Sequence, residues 1–90
     1  MSGIAPDERP VKLDVDEVNE IGDGLVLYQG PERRVHYFNR TASLVYELCT
    51  GEHSVEQIAE AIADSFGLAE APRREVEACL ETLRAQGVVR

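Results

Sequence analysis

Two turn signals in the first half of the chain constrain its fold more than any other feature. Asp23-Gly24 is typical of a tight hairpin, because both central residues of a type I′ turn need positive φ, and Gly30-Pro31 marks a second turn. The residues on either side are rich in β-branched and aromatic side chains. They predict a three-stranded antiparallel meander whose first and third strands are free edges. The predicted strands span residues 16–21, 25–29 and 34–38.

The second half of the chain carries helix signals. Asn39 is a preferred N-cap, and Ser54 with Gln57 three residues later forms a capping box. Apolar residues then recur at helical spacing, and glycines end the runs. The predicted helices span residues 40–49, 55–66 and 72–86. We therefore expect an α+β fold, a three-stranded antiparallel sheet followed by three helices on one face, similar in outline to a winged helix-turn-helix.

Ninety residues, 43% of them hydrophobic, are enough for one domain with a modest core. We expect residues 1–12, with their prolines and charges, to form a flexible tail, and residues 13–90 to form the domain. No apolar run of about 18 residues predicts a membrane span, and the first residues lack the pattern of a secretory signal. We accordingly expect a cytoplasmic protein.

The residues give little support to catalysis or to metal binding. No nucleophile stands beside a base, and neither an HExxH motif nor a phosphate-binding glycine loop is present. Cys49 and Cys79 stand thirty positions apart among apolar residues, which predicts buried free thiols and not a zinc site. His36 and His53 are isolated histidines of the kind that is usually structural. We expect neither an enzyme nor a cofactor.

Charge is unevenly distributed in this chain, whose net charge is −8. No Lys or Arg occurs between Thr41 and Pro72, so the predicted second helix is acidic. Strand three, its exit and helix three hold six of the nine basic residues: Arg33, Arg34, Arg40, Arg73, Arg74 and Arg84. This pattern disfavours general nucleic-acid binding and predicts that an acidic ligand is attracted there. The alternative is a solvated face on which Glu77 and Glu81 pair with neighbouring arginines.

An ordered set of short motifs resembles the PqqD-like family, the peptide-recognition element of ribosomal peptide modification systems. The motifs are Phe38-Asn39, Ala42 in the first helical turn, Leu48 to Glu52, Ser54 to Ala59, Phe66-Gly67 and a final pair of leucines before Gly-Val-Val. The resemblance covers about residues 21–89. The family often has Trp where this chain has Tyr46, and Leu where it has Phe38, but both changes keep apolar bulk.

The resemblance implies that the protein binds the leader segment of a precursor peptide and presents it to a modifying enzyme, often of the radical-SAM type. It also implies that the leader adds as an extra strand beside strand three and packs against helix three. The candidate peptide-binding residues are therefore Arg33, Arg34, Val35, His36, Tyr37, Phe38, Arg73, Val76, Glu77, Leu80, Leu83 and Arg84.

Strand three fits this role on physical grounds as well. It contains no proline, so its edge is poorly defended against pairing. Alternation places His36 with Phe38 on one face and Val35 with Tyr37 on the other, and the adjoining Asn39 cap favours Phe38 in the core. Other hypotheses remain: residues 88–90 or a second copy covers this edge, or the protein is a winged-helix DNA-binding regulator or a purely structural subunit of an enzyme complex.

Overall fold

The computed structural model describes residues 4–90 and has the predicted α+β fold. Its strands are β1 (Glu17–Ile21), β2 (Gly24–Gln29) and β3 (Arg34–Phe38), and its helices are α1 (Arg40–Glu47), α2 (Val55–Phe66) and α3 (Arg73–Ala85). The strands form one antiparallel sheet in the order β1-β2-β3, so β1 and β3 are its edges. The bounds of β3 and α2 agree with the prediction, and the other bounds differ by one or two residues.

The first hairpin turn lies one residue earlier than predicted. Ile21 pairs with Gly24, so the two central residues of the turn are Gly22 and Asp23. Gly22 has φ +62° and Asp23 does not have positive φ, as in a type II′ turn, which needs positive φ at its first central residue alone. Gly24 instead opens β2, where a Cβ would overlap the carbonyl oxygen of Phe38. Glycine is therefore favoured at both positions, but for different reasons.

The predicted helix caps are confirmed. The side chain of Asn39 accepts a hydrogen bond from the backbone N–H of Ala42 at 2.9 Å. Ser54 and Gln57 form the reciprocal capping box at 3.1 and 2.8 Å. Helix α1 ends at Glu47, two residues earlier than predicted, because the backbone of the next residues bonds elsewhere: Cys49 and Gly51 hydrogen-bond to residues 10–12.

The hydrophobic core lies between one face of the sheet and the three helices. It contains Leu25, Leu27, Phe38, Val45, Tyr46, Ile58, Ile62, Val76, Leu80, Leu83 and Val88. Cys49 is fully buried and Cys79 is half-buried, and both thiols are free. Burial raises the pKa of the Cys49 thiol to about 12, so this thiol stays protonated and inert at neutral pH.

Residues 4–13 differ from the expected flexible tail, since they form a strap packed on the helices. Ile4 and Pro10 are buried, and the carbonyls of Pro6 and Glu8 accept hydrogen bonds from the first N–H groups of α2. Val11–Leu13 pair with residues 88–90. The strap is ordered because it supplies acceptors that the helix N-terminus lacks. Residues 1–3, also predicted to belong to the tail, lie outside the described residues.

Two general properties follow from the same described part of the chain. Within residues 4–90, no helix has both the length and the apolar character needed to cross a membrane. In that range no three side chains of His, Cys, Asp or Glu are grouped so that they could hold a metal ion.

Candidate functional site at the β3 edge

The outer edge of β3 is open in the described part of the chain. Its backbone ladder runs to β2 alone, and residues 88–90, which could have covered it, pair with Val11–Leu13 instead. Beyond the strand pairing, the Phe38 carbonyl accepts a hydrogen bond from Ser43 Oγ at 3.2 Å. Alternate residues from Arg34 to Tyr37 therefore present unpaired N–H and C=O groups to the outside.

The two faces of β3 are very different. His36 and Phe38 point inward and are 6% and 3% exposed, whereas Val35 and Tyr37 point outward and are 60% and 63% exposed. The ring of Phe38 packs at 5.4 Å from the ring of Tyr46 in α1. The expectation that Phe38 lies in the core is confirmed. The strand is thus anchored from the inside and apolar on the outside.

A chain of polar contacts ties β3 to the end of α3. His36 Nε2 lies 3.2 Å from Gln29 Oε1, and Gln29 Nε2 donates a hydrogen bond to the Gly87 carbonyl at 2.8 Å. Burial, followed by the charge of Arg34, lowers the pKa of His36, so the ring is neutral at pH 7. A concavity of about 290 Å³ lies beside this chain, lined by residues 29–32, Arg34 and Gly87.

The apolar candidates on α3 lie in the core. Val76, Leu80 and Leu83 are at most 1% exposed. Helix α3 packs on α1 and α2, and no Cα of residues 73–85 comes within 8 Å of a Cα of β3. The apolar face of α3, which was a candidate surface for peptide binding, is therefore the face that packs in the core. In this conformation the side chains of these three residues are not open to a peptide.

The charged candidates on α3 differ in whether they form an ion pair. Arg84 donates a hydrogen bond to Glu8 at 2.9 Å, so its charge is neutralised by the strap. The Ala5 N–H and then Arg84 hold the pKa of the Glu8 carboxyl below its usual value. Arg73 is exposed and Glu77 is half-buried, and within residues 4–90 neither forms an ion pair.

Positive charge lies at both ends of β3. Arg33 stands at φ +51° in the turn before the strand, with its guanidinium 4.9 Å from the ring centre of Tyr28 and 3.8 Å from Glu17. Arg34 is exposed and makes no ion pair with any described residue. Arg40, just beyond the strand, lies 4.9 Å from the ring centre of Phe66.

A cleft of about 490 Å³ lies at the end of the sheet, between the β1–β2 turn, α1 and the end of α2. Its lining includes Glu20, Asp23 and Glu47 with Arg40 as its one cation. The cleft and the open β3 edge therefore differ in charge, and the cleft is not the site that the motifs predict.

Sequence reasoning missed Gln29, Gly87 and Glu8 as residues that shape or neutralise the site. The sequence pattern predicts that Gln29 ends a strand and that Gly87 follows the end of a helix, and both predictions are confirmed. Their contact joins positions 58 residues apart, and no local pattern in the sequence signals it.

Comparison with known proteins agrees with the motifs. The family model described as Coenzyme PQQ synthesis protein D (PqqD) matches residues 24–89. This chain belongs to the PqqD family. A comparison with curated proteins and one with solved structures gave no match.

Membership of the family has direct implications. It implies a role in the biosynthesis of coenzyme PQQ or of other ribosomally made, modified peptides. Proteins of this family are accessory and not catalytic, and they work with a peptide precursor and a modifying enzyme. The matched range begins at Gly24, so β1 lies outside it.

Proposed function

We propose that this protein binds the leader segment of a precursor peptide as a fourth strand on β3 and presents it to a modifying enzyme of the radical-SAM type. The observation that carries the proposal is the open edge from Arg34 to Phe38, which no described segment of the chain covers. An edge of this kind binds an extended peptide through main-chain hydrogen bonds, while contacts to alternate side chains give selectivity.

The outer face of β3 supplies the apolar contacts in this proposal. Val35 and Tyr37 are mostly exposed and lie next to Tyr28 and Val26 on the neighbouring strand. Every second side chain of an added strand would lie beside them. Because a disordered peptide loses entropy when it becomes ordered, we expect a dissociation constant in the micromolar to sub-micromolar range, about −8 to −10 kcal/mol.

Charge supports an acidic leader. Arg33 and Arg34 precede the edge, Arg40 follows it, and the protein as a whole is negative. Arg84 is paired with Glu8 and Arg33 lies 3.8 Å from Glu17, so the attraction comes mainly from Arg34 and Arg40, which make no ion pair with any described residue. Such exposed charges steer and orient a peptide more than they add to affinity.

A symmetric dimer through β3 is disfavoured by the same charges. Two β3 strands related by a two-fold axis would run antiparallel. If they were centred on Tyr37, Arg34 of one copy would face Arg40 of the other. Like charges placed opposite each other destabilise a strand pair. An acidic peptide meets no such repulsion.

DNA binding fits less well. A winged-helix reader needs Lys and Arg to meet phosphates and bases, but α2 has none and carries Glu56, Glu60 and Asp64 on its exposed surface. A purely structural subunit of an enzyme complex would not need an uncovered edge.

The proposal is tested by titrating the ¹⁵N-labelled protein with the candidate leader peptide and following backbone amide shifts. We expect the largest shifts at Arg34–Phe38. Shifts confined to other parts of the molecule would refute strand addition at β3.

A charge reversal gives an independent test of the same site. Arg34→Glu should weaken leader binding about tenfold and flatten its dependence on salt, because it replaces an attraction by a repulsion. Arg74→Glu makes the same charge change at an exposed position of α3 and should have little effect. Equal losses in the two variants would mean that net charge, and not this edge, governs binding.

A further inference from the structure

The sheet has a second open edge. Within residues 4–90, β1 is paired with β2 alone, and all five of its residues are exposed. The exposed large apolar residues of the described chain are Val18, Ile21, Val35, Tyr37 and Leu68. All of these except Leu68 lie on the two edge strands. Both edges thus combine free backbone groups with uncovered apolar side chains, the two features that lead strands to pair.

The charges of the two edges are opposite. No Lys or Arg occurs between Lys12 and Arg33. The acidic residues in and around β1 are Asp14, Asp16, Glu17, Glu20 and Asp23. The edge of β3 is flanked by Arg33, Arg34 and Arg40. The β1 segment is therefore an acidic, partly apolar strand, which is the chemistry that the β3 edge favours in a ligand.

We propose that the β1 edge of one copy pairs with the β3 edge of another, so that β1 of the neighbouring copy occupies the position proposed for the leader peptide. The inference uses the same β3 edge as the proposed function but does not require that a leader bind there. Because the two surfaces differ, the contact is heterologous, and its repetition gives an open row of copies and not a closed dimer.

The charges permit this pairing in either strand direction. Acidic residues stand at both ends of β1, with Asp16 and Glu17 at one end, where Glu17 lies 3.8 Å from Arg33 of the same copy, and Glu20 and Asp23 at the other. Arginines likewise stand at both ends of β3. Parallel and antiparallel pairing both bring opposite charges together, whereas two β3 strands or two β1 strands bring like charges together.

The pairing would make self-association and leader binding mutually exclusive at β3. The contacts are a few backbone hydrogen bonds, exposed apolar side chains and solvent-exposed ion pairs, which is a weak combination. Copies would associate at high concentration and low salt, and a leader peptide would separate them by taking the edge.

The test is sedimentation velocity of the full chain over a concentration series from about 10 µM to about 1 mM, the range in which weak contacts populate complexes. At low salt we expect the weight-average mass to rise with concentration, and at high salt we expect the rise to shrink because exposed charges are screened. A wild-type protein that stays monomeric throughout the series at low salt overturns the inference.

Two charge-reversed variants identify the surfaces. Glu17→Lys with Glu20→Lys reverses β1, and Arg34→Glu with Arg40→Glu reverses the ends of β3. Each variant alone should associate at least about tenfold more weakly than wild type, since the charged residues within its two edge strands then have the same sign. An equimolar mixture of the two should regain association, because each edge again meets its opposite.

A matched control carries the same charge change elsewhere. Glu56→Lys with Glu60→Lys alters the exposed surface of α2 and should leave association at least as strong as in wild type. Association of the β1-reversed variant at wild-type strength, or a mixture that stays monomeric, would overturn the inference.

Leader binding separates this inference from the proposed function. The β1-reversed variant keeps its β3 edge, so a leader should still shift the amides of β3 in it. If the copies do not associate but these shifts appear, only the self-association is lost. If the copies associate but no leader shifts β3, the proposed function is lost and the inference stands.

Discussion

The two edge strands have similar outer edges but very different support. Behind β3, His36 and Phe38 are buried and the chain continues directly into α1. All five residues of β1 are exposed, and within residues 4–90 the backbone of this strand is held by β2 alone. A partner that pairs with β3 meets a strand already fixed by the core, so little entropy is lost on ordering it. We therefore expect β3 to accept a partner strand more readily than β1 does.

The largest expected difference between the edges is in stability. Phe38→Ala should lower the free energy of unfolding by about 3–5 kcal/mol, because it empties a fully packed site. Val18→Ala removes a side chain that is 44% exposed and should cost less than about 1 kcal/mol. Denaturant unfolding measures both values. Equal losses would mean that β1 is as firmly packed as β3.

A smaller effect is expected at the first hairpin. Gly22→Ala forces a residue with a Cβ to adopt φ +62° and should cost about 1–2 kcal/mol. Because β1 is held by β2 alone, we expect faster amide hydrogen exchange in β1 with little change in β3. Gly87 has a similar φ of +76°, and its carbonyl accepts the hydrogen bond from Gln29. The hydrogen exchange of Gly87→Ala is therefore compared with that of Gly22→Ala. A loss of protection in β3 caused by Gly22→Ala would contradict independent support of the two strands.

The smallest effect is expected in the pH dependence of stability. Burial lowers the pKa of His36 in the folded state, so the unfolded chain binds the proton more readily. Stability should therefore fall as the pH drops below about 6.5, the usual histidine value. His36→Gln should remove this part of the slope, and His53→Gln should leave it in place. Unfolding free energies measured between neutral and mildly acidic pH decide the outcome, and an unchanged slope in His36→Gln would contradict the prediction.

Sequence patterns predicted local structure well where a single short segment carries the signal. The caps at Asn39 and Ser54 and the bounds of β3 and α2 depend on neighbouring residues only. The hairpin was located but displaced by one residue, since Gly22 and Gly24 both suit a turn and the close approach of Phe38 decides between them.

The candidate site was less predictable, because the exposure of its residues depends on which distant segments pack against them. The stripe of Val76, Leu80 and Leu83 indicates that one face of α3 is apolar, but the same pattern suits a groove wall and a core. The prolines and charges of residues 1–12 predict a flexible tail, yet residues 4–12 have partners in α2 and at the carboxyl end of the chain.

The amino-acid sequence by itself determined the order of three strands and three helices, the caps and the uneven distribution of charge along the chain. Local propensity and hydrogen bonding between near neighbours are enough for these features. Only the tertiary structure decided that residues 88–90 pair with Val11–Leu13, which leaves the outer edge of β3 without a strand partner in residues 4–90. Distant segments compete for the same backbone partners. Which of them pair depends on where the packed core places each segment.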